Sequence, residues 1–185
     1  MANPTKTALI IMAEGVEEIE AITPIDLLRR AGVEVTIASL SAEPRVTGRT
    51  SIMLGTDAAL HAVANRLFDL LVIPGGPGVR HLRASPDVID ITKRHAVAGR
   101  LIGAICAAPT VLKDAGLLDG IAYTAHFSVE DELPAMRKDV PVVQQGHIIT
   151  SRGAGTAVPF GLALIRALLG EPAAKKVADA ICYPH

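Results

Sequence analysis

The chain has 185 residues, with 18 basic and 19 acidic side chains and a formal net charge of -1. This length fits one domain, which we assign to 1–185, and the balanced charge gives no electrostatic reason to expect sequence-specific nucleic acid or an anionic membrane as a partner. Hydrophobic residues make up 50% of the sequence but aromatic residues only 3%. A core built from Ala, Val, Ile and Leu favours helices packed on a parallel sheet.

The sequence predicts neither a membrane span nor a secretory signal. Its apolar runs fall short of the roughly 18 residues that a membrane helix needs, and the first residues, from Met1 to Met12, lack the apolar length and cleavage site of a signal peptide. The two cysteines, Cys106 and Cys182, lie in very different settings, which argues against a structural disulfide. We therefore expect a cytoplasmic protein with free thiols.

Short apolar runs bounded by turn residues alternate with segments of helical periodicity, which predicts repeated β-α units. In chain order we predict a strand at 7–13, a helix at 17–31, a strand at 34–40, turns with a short hairpin around Gly48 at 41–56, a strand at 68–73, a helix at 86–98, a strand at 101–105, a helix at 107–115, strands at 121–124, 142–144 and 147–150, and helices at 155–169 and 172–182. This alternation predicts an α/β fold in which a mostly parallel sheet carries helices on both faces, with right-handed crossovers.

Cys106 lies where the predicted strand at 101–105 gives way to the predicted helix at 107–115. Open α/β sheets place their sites at the carboxyl edges of their strands. The N–H groups and the positive dipole end of the following helix favour a thiolate and lower the pKa of a cysteine. The same position also suits a buried cysteine that fills apolar space, and spacing alone leaves both interpretations open.

Glu20 is the second candidate, because it lies near the carboxyl edge of the first predicted strand, beside an irregularity in the helix. Pro24 lacks the N–H that would bond to the carbonyl of Glu20 four residues earlier, so the helix is disturbed at this point. The competing interpretation is a solvated acid in the first helical turn, where the helix dipole favours a negative charge.

Two further features point to the same edge of the sheet. The turn at Gly75 and Gly76, after the strand at 68–73, can bring backbone N–H groups close to an oxyanion, or it can be a plain tight turn. His126 is a candidate general base or hydrogen-bond partner for the thiolate, although a lone histidine in a loop is more often inert. No cluster of His, Cys, Asp or Glu has metal-ligand spacing, so we predict no metal site.

Four segments, taken in order, resemble the DJ-1/PfpI superfamily. The likeness runs from about Ala8 to Leu169, and it is carried by Ala13-Glu-Gly-Val-Glu-Glu-Ile-Glu20, Pro74-Gly-Gly76, Ala104-Ile-Cys-Ala-Ala-Pro109 and Thr150-Ser-Arg-Gly-Ala-Gly-Thr156. The resemblance implies a flavodoxin-like three-layer α/β sandwich with a nucleophile elbow at Cys106. It also implies a homodimer with the active site near the interface.

The resemblance assigns roles to individual residues. Cys106 matches the family's nucleophile, Glu20 matches the acid that hydrogen-bonds to it in protonated form, and His126 matches the nearby histidine. The remaining matches are the backbone donors of an oxyanion hole at Gly76 and Ala107, and anion-attracting arginines at Arg30 and Arg49.

The favoured hypothesis is a cofactor-independent cysteine enzyme that acts on a small 2-oxoaldehyde such as methylglyoxal. Cys106 adds to the aldehyde to form a hemithioacetal, Glu20 or else His126 moves a proton between the two carbons, and hydrolysis releases a 2-hydroxy acid. Deglycation of methylglyoxal adducts on proteins or nucleotides is the same reaction with a larger leaving group. The sequence does not separate these two activities.

The alternative hypothesis is a redox sensor or chaperone of the stress response, in which Cys106 is oxidised to a sulfinic acid that Glu20 stabilises. Protease or isonitrile hydratase activity is a weaker option. A cysteine protease requires a base beside its nucleophile, most naturally a histidine directly after the cysteine. Ala107 occupies that position in this sequence.

Overall fold

The structure is a computed structural model that describes residues 4–184, so the domain assigned to 1–185 extends beyond it at both ends. The strands are β1 (Thr7–Met12), β2 (Glu34–Ser39), β3 (Arg45–Thr47), β4 (Met53–Gly55), β5 (Ala58–Ala59), β6 (Leu70–Ile73), β7 (Leu101–Ile105), β8 (Val142–Gln145) and β9 (Ile148–Ser151). The helices are α1 (Glu18–Arg30), α2 (Leu60–Val63), α3 (Val79–Arg83), α4 (Pro86–Val97), α5 (Pro109–Asp114), α6 (Ala157–Leu169) and α7 (Glu171–Ala180).

Seven strands form one sheet in the order β5-β2-β1-β6-β7-β9-β8. Every neighbouring pair in this sheet is parallel except β8 and β9, which form an antiparallel pair at one edge. Strands β3 and β4 form a separate antiparallel hairpin, where the sequence predicted one around Gly48. The predicted α/β fold with a mostly parallel sheet is confirmed.

Helices cover both faces of the sheet, and β1 shows why its sequence is an unbroken apolar run. Its residues alternate between two cores: Ala8 and Ile10 pack on one face, with α1, α6 and α7, while Leu9 and Ile11 pack on the other, with α2 to α5. A strand buried on both sides has no solvent-facing positions to fill with polar residues. The three-layer sandwich that the resemblance implied is therefore present.

Close packing of α6 fixes the position of α1, which carries the first acidic candidate. A Cβ at Gly161 of α6 would lie 2.6 Å from Cδ1 of Leu27 in α1, and one at Gly103 of β7 would lie 2.7 Å from Cδ2 of Leu164. Glycine at these positions lets α6 approach both the sheet and α1. The packing holds α1 against α6 and the sheet.

The predicted strand at 121–124 is wrong. Its backbone bonds to side chains rather than to a neighbouring strand: the N–H of Ala122 donates to Oε1 of Gln145, and the N–H of Thr124 donates to Oγ1 of Thr150. The short elements β5, α2 and α3 were not predicted, because two to five residues carry too little periodicity to detect. None of the helices that the structure describes combines the length and apolar character of a membrane span.

Candidate active site

The candidate site lies at the carboxyl ends of three adjacent parallel strands, β1, β6 and β7. The order of the sheet reverses between β1 and β6, because β2 lies on one side of β1 and β6 on the other. Ligands of open α/β sheets bind at such switch points. The chain leaves β6 at Gly75 and β7 at Cys106, and it enters α1, with Glu20 in its first turn, after β1. All three segments therefore meet at one edge.

Cys106 occupies a strained turn between β7 and α5, with φ +65°. A non-glycine residue in the left-handed region is uncommon and costs roughly 1–3 kcal/mol unless its surroundings hold it. Two hydrogen bonds hold this one: its N–H donates to the carbonyl of Ser151 at 2.9 Å, and its carbonyl accepts from the N–H of His126 at 2.8 Å. The side chain is half-buried and faces the cavity described below. The sharp strand-to-helix turn that the resemblance implied at Cys106 is confirmed.

Glu20 lies beside this sulfur rather than in solvent. Its side chain is only 1% exposed, its Oε2 accepts a hydrogen bond from the N–H of Gly75 at 2.9 Å, and its carboxyl group is hydrogen-bonded to the Cys106 thiol. Burial raises the pKa of Glu20 to about 7, against the lowering effect of these two hydrogen bonds. A carboxyl group in this state can both donate and accept a proton at neutral pH.

Gly75 keeps the acid and the thiol together because it has no side chain. A Cβ at this position would lie 2.5 Å from Cβ of Cys106 and 2.5 Å from Oε2 of Glu20. Both distances are too short for a real Cβ, so any other residue would force the pair apart. The sequence marked Gly75 as part of a turn, but its contact with the acid depends on the fold.

The expectation that the backbone N–H groups and the helix dipole lower the pKa of Cys106 below its usual value is corrected by the structure. Helix α5 has six residues and begins only at Pro109, so its dipole is small and does not start at the sulfur. Burial first, and then the negative charge of Glu20, raise the pKa of Cys106 to about 12. A carboxyl group and a thiol that are hydrogen-bonded to each other titrate as a pair. This pair loses one proton near pH 7 and holds the other to much higher pH.

The backbone donors predicted at Gly76 and Ala107 both lie at the sulfur. Their N–H groups donate hydrogen bonds to the Cys106 side chain and lower its pKa. Gly76 has φ +91°, and a Cβ there would lie 2.5 Å from the backbone nitrogen of Glu17, so only glycine fits this turn. The same two N–H groups are placed to stabilise an oxyanion on a carbon bonded to the sulfur.

His126 borders the same cavity as a neutral ring. Its Nδ1 accepts a hydrogen bond from the N–H of Ser128 at 3.2 Å, which assigns the ring proton to Nε2. Burial, and then the positive charges of Arg152 and Arg49, lower the pKa of His126. At neutral pH this ring therefore offers an Nε2–H donor rather than a positive charge.

The two predicted anion-binding arginines lie in different places. Arg49, in the β3–β4 hairpin, lines the cavity and forms an ion pair with Glu17 at 3.1 Å. Arg30 lies at the far end of α1, where it is exposed and pairs with Asp26 at 2.7 Å. It does not line the cavity of this chain. The resemblance matched Arg30 by sequence position, and the length of α1 carries it away from Glu20.

Several residues in and beside the site were not predicted. Glu17 pairs with Arg49, and Glu18 accepts hydrogen bonds from the N–H and hydroxyl of Thr50 at 2.9 and 2.6 Å, so both acids tie the hairpin to α1. Arg80 and Phe127 line the cavity. The run of acids after β1 was a signal for the first two, whereas nothing local marked the others.

These groups surround one open cavity of about 630 Å³, called here the Cys106 cavity. Its wall includes Cys106, Glu20, Arg49, Arg80, His126 and Phe127. Within residues 4–184 no group of three or more His, Cys, Asp or Glu side chains could hold a metal ion. The chemistry available is that of a thiol, a carboxyl group, an imidazole and two backbone donors.

Comparison with known proteins identifies relatives over nearly the whole chain. A family model described as the DJ-1/PfpI family matches residues 6–167. Protein dj-1beta of Drosophila melanogaster is 38% identical, covering 98% of this chain and 99% of that protein. A Caenorhabditis elegans protein named glutathione-independent glyoxalase DJR-1.2 is 38% identical, covering 96% of each. The solved structure of Toxoplasma gondii DJ-1, described as oxidized, matches with a TM-score of 0.94 at 38% identity, covering 98% of this chain and 100% of that one.

Proposed function

The chain belongs to the DJ-1/PfpI family, and from this premise we propose that it is a cofactor-independent cysteine enzyme that converts small 2-oxoaldehydes such as methylglyoxal to 2-hydroxy acids. The name of the Caenorhabditis elegans relative supports this activity. One observation carries the proposal: the Cys106 sulfur, held in a strained elbow, shares its environment with a buried carboxyl group whose pKa is raised to about 7.

The first step is addition of the sulfur to the aldehyde carbon. A carbon–sulfur bond forms, the π electrons of the C=O bond move to the oxygen, and that oxygen takes a proton to give a hemithioacetal. The N–H groups of Gly76 and Ala107, which already point at the sulfur, stabilise the negative charge as it develops. That proton comes from the thiol: as the S–H bond breaks, the Glu20 carboxylate accepts the proton and passes it to the oxygen, which leaves Glu20 again as a carboxylate.

The second step moves a hydrogen between the two carbons. The Glu20 carboxylate removes the proton from the carbon bonded to sulfur, and the resulting enediol takes a proton at the neighbouring carbon. The product is a thioester of the 2-hydroxy acid. Water then attacks the thioester carbon, the carbon–sulfur bond breaks, and the sulfur leaves as a thiolate that regains its proton. Methylglyoxal and water have become lactate, with no change in the enzyme.

Deglycation follows the same course when the aldehyde arrives as an adduct on a protein or nucleotide amine or thiol. The adduct first releases its amine or thiol, or exchanges it for the Cys106 sulfur, and the remaining steps are unchanged. The openness and the volume of about 630 Å³ of the Cys106 cavity support access by such larger partners.

Purified protein incubated with methylglyoxal and no glutathione tests the proposal. We expect lactate, measured by NMR, with loss of turnover in Cys106→Ser and full turnover in the matched control Cys182→Ser, because Cys182 is exposed and outside the cavity. Absence of lactate from the native protein, or unchanged turnover in Cys106→Ser, would refute the activity.

A redox role is the second candidate, and it is supported by the solved relative described as oxidized. Donors at Gly76 and Ala107 and the Glu20 carboxyl group would stabilise the oxygens of a Cys106 sulfinic acid. After mild peroxide treatment, mass spectrometry should find two added oxygen atoms on Cys106, and fewer in Glu20→Gln. Peroxide-dependent binding of a partner protein, in the absence of lactate formation, would favour this role over the enzyme.

We also propose that the protein is a homodimer, as the family resemblance implies. Large apolar side chains are exposed on α1 and on the β3–β4 hairpin, which Glu18 connects to α1. Their exposed fractions are 53% for Ile19, 43% for Ile22, 53% for Ile52 and 65% for Met53. A surface of this kind is typical of an interface. Light scattering should give a dimer mass for the native protein and a monomer mass for Ile22→Asp, and a native monomer would contradict the proposal.

A further inference from the structure

The Cys106 cavity is much larger than the substrate of the proposed reaction. Methylglyoxal has only five non-hydrogen atoms, whereas a cavity of about 630 Å³ falls in the range of roughly 300–1,000 Å³ that holds drug-sized ligands. The sulfur, the acid and the two backbone donors all act on the dicarbonyl end of a substrate. Space therefore remains for a longer carbon chain, and the residues around that space decide which chain is favoured.

Three arginines line this cavity, and two of them are neutralised. Arg83 binds the carboxylates of Asp114 at 2.7 Å and Glu132 at 2.9 Å. Arg49 binds Glu17 at 3.1 Å. Both guanidinium groups therefore meet a fixed negative charge of the protein, which reduces their attraction for a bound anion.

Arg80 differs from these two. Within the described part of the chain it forms no ion pair, and its Nε donates to Nε2 of the neighbouring His81 at 3.2 Å. This contact leaves the terminal nitrogens of the guanidinium available. Arg80 lies in α3, which begins just after the turn at Gly76. Only a few residues of chain therefore separate Arg80 from the Gly76 N–H group. The cavity thus combines an uncompensated cation with the reactive sulfur.

We infer that Arg80 is a specificity-determining residue that favours 2-oxoaldehydes whose carbon chain ends in a carboxylate. The inference rests on the proposed function, because it assumes that the dicarbonyl end reacts at Cys106. A single uncompensated guanidinium matches one carboxylate, which it can hold through two parallel N–H···O bonds. A phosphate dianion would call for a second free cation, and both other arginines of the cavity already have acidic partners.

The reaction itself is unchanged for such a substrate. With 4,5-dioxopentanoate, the sulfur adds to the aldehyde carbon at C5, a hydrogen moves from C5 to C4, and water releases 2-hydroxypentanedioate. The distant carboxylate takes no part in bond making, so Arg80 acts through binding rather than on the reacting atoms.

A pair of substrates that differ only in this charge tests the inference. We expect kcat/KM for 4,5-dioxopentanoate to exceed that for its methyl ester by about tenfold in the native protein, mainly through KM, because a hydrogen bond between two charged groups is stronger than one to a neutral ester even after screening by solvent. Arg80→Gln should bring this ratio close to one, and Arg80→Lys should keep part of it. Arg45→Gln, an exposed arginine in β3 outside the cavity, is the matched control for the loss of one positive charge and should keep the ratio.

Binding of the product separates this inference from the proposed function. By calorimetry, 2-hydroxypentanedioate should bind the native protein about tenfold more tightly than its 5-methyl ester, and this preference should disappear in Arg80→Gln. If the preference is present but no dicarbonyl is turned over, the proposed function fails and the anion site stands. If methylglyoxal is turned over but Arg80→Gln leaves both ratios unchanged, the role of Arg80 is refuted and the enzyme stands.

Discussion

The shared environment of Glu20 and Cys106 should make the stability of the protein depend on pH in a way that one substitution removes. The pKa of Glu20 is raised from 4.5 to about 7 by burial, so the folded state holds this proton more tightly than the unfolded state. The stability linked to the proton is complete below pH 4.5 and is lost as the pH rises through 7. Glu20→Gln keeps the size and an acceptor for the Gly75 N–H but cannot ionise.

The magnitude follows from the two pKa values. Each pKa unit is worth about 1.4 kcal/mol, so ionising Glu20 in place costs the folded state about 3 kcal/mol when the loss is complete. Most of this change, about 2 kcal/mol, falls between about pH 5 and pH 8. Titrating groups other than the coupled pair of Glu20 and Cys106 are common to the native protein and Glu20→Gln, so they cancel when the two pH profiles are subtracted.

Urea unfolding followed by circular dichroism measures this difference, because the chain has no Trp for fluorescence. Both proteins are compared at pH 5 and pH 8, at one fixed concentration so that any dimerisation contributes equally. The native protein should lose about 2 kcal/mol more than Glu20→Gln over this interval. If the free energies of unfolding of the two proteins change equally between pH 5 and pH 8, ionisation of Glu20 does not destabilise the folded state. That result would refute the raised pKa of Glu20 and the shared proton.

Three further predictions concern the same site. The rate of Cys106 alkylation should rise with pH through about 7 and then level off, because the pair formed by Glu20 and Cys106 loses its first proton there. This inflection should move to higher pH in Glu20→Gln, and an unchanged inflection would rule out a shared proton. Gly75→Ala should reduce turnover by about 10²-fold, because the added Cβ displaces the Cys106 sulfur and the Glu20 carboxyl group. Gly55→Ala, where a Cβ meets nothing within 4 Å, should retain activity, and equal activities of the two variants would contradict the steric contact at Gly75. Glu18→Gln should speed amide hydrogen exchange in the β3–β4 hairpin, since a neutral amide accepts hydrogen bonds more weakly than the carboxylate does, and unchanged exchange would show that other contacts hold the hairpin.

Much of the fold followed from local patterns. The apolar runs that became β1, β6 and β7 are buried on both faces of the sheet, and such runs have a recognisable composition wherever they occur. The turn at Cys106 was equally local, since an apolar strand gives way to a helix that begins at Pro109. The 121–124 segment misled the prediction because the N–H groups of Ala122 and Thr124 donate to side chains from β8 and β9, and not to the backbone of a neighbouring strand.

The sequence by itself singled out the two residues that we propose carry the chemistry, because Cys106 and Glu20 stand in motifs whose order is specific. Only the tertiary structure decided how they behave. Burial raises the pKa of both groups, and the negative charge of Glu20 raises that of Cys106 further. Helix α1 carries Arg30 away from the cavity, while α3 brings Arg80 to its wall. Burial and the distances between charges depend on residues far apart in the chain, and these contacts exist only after the sheet has assembled.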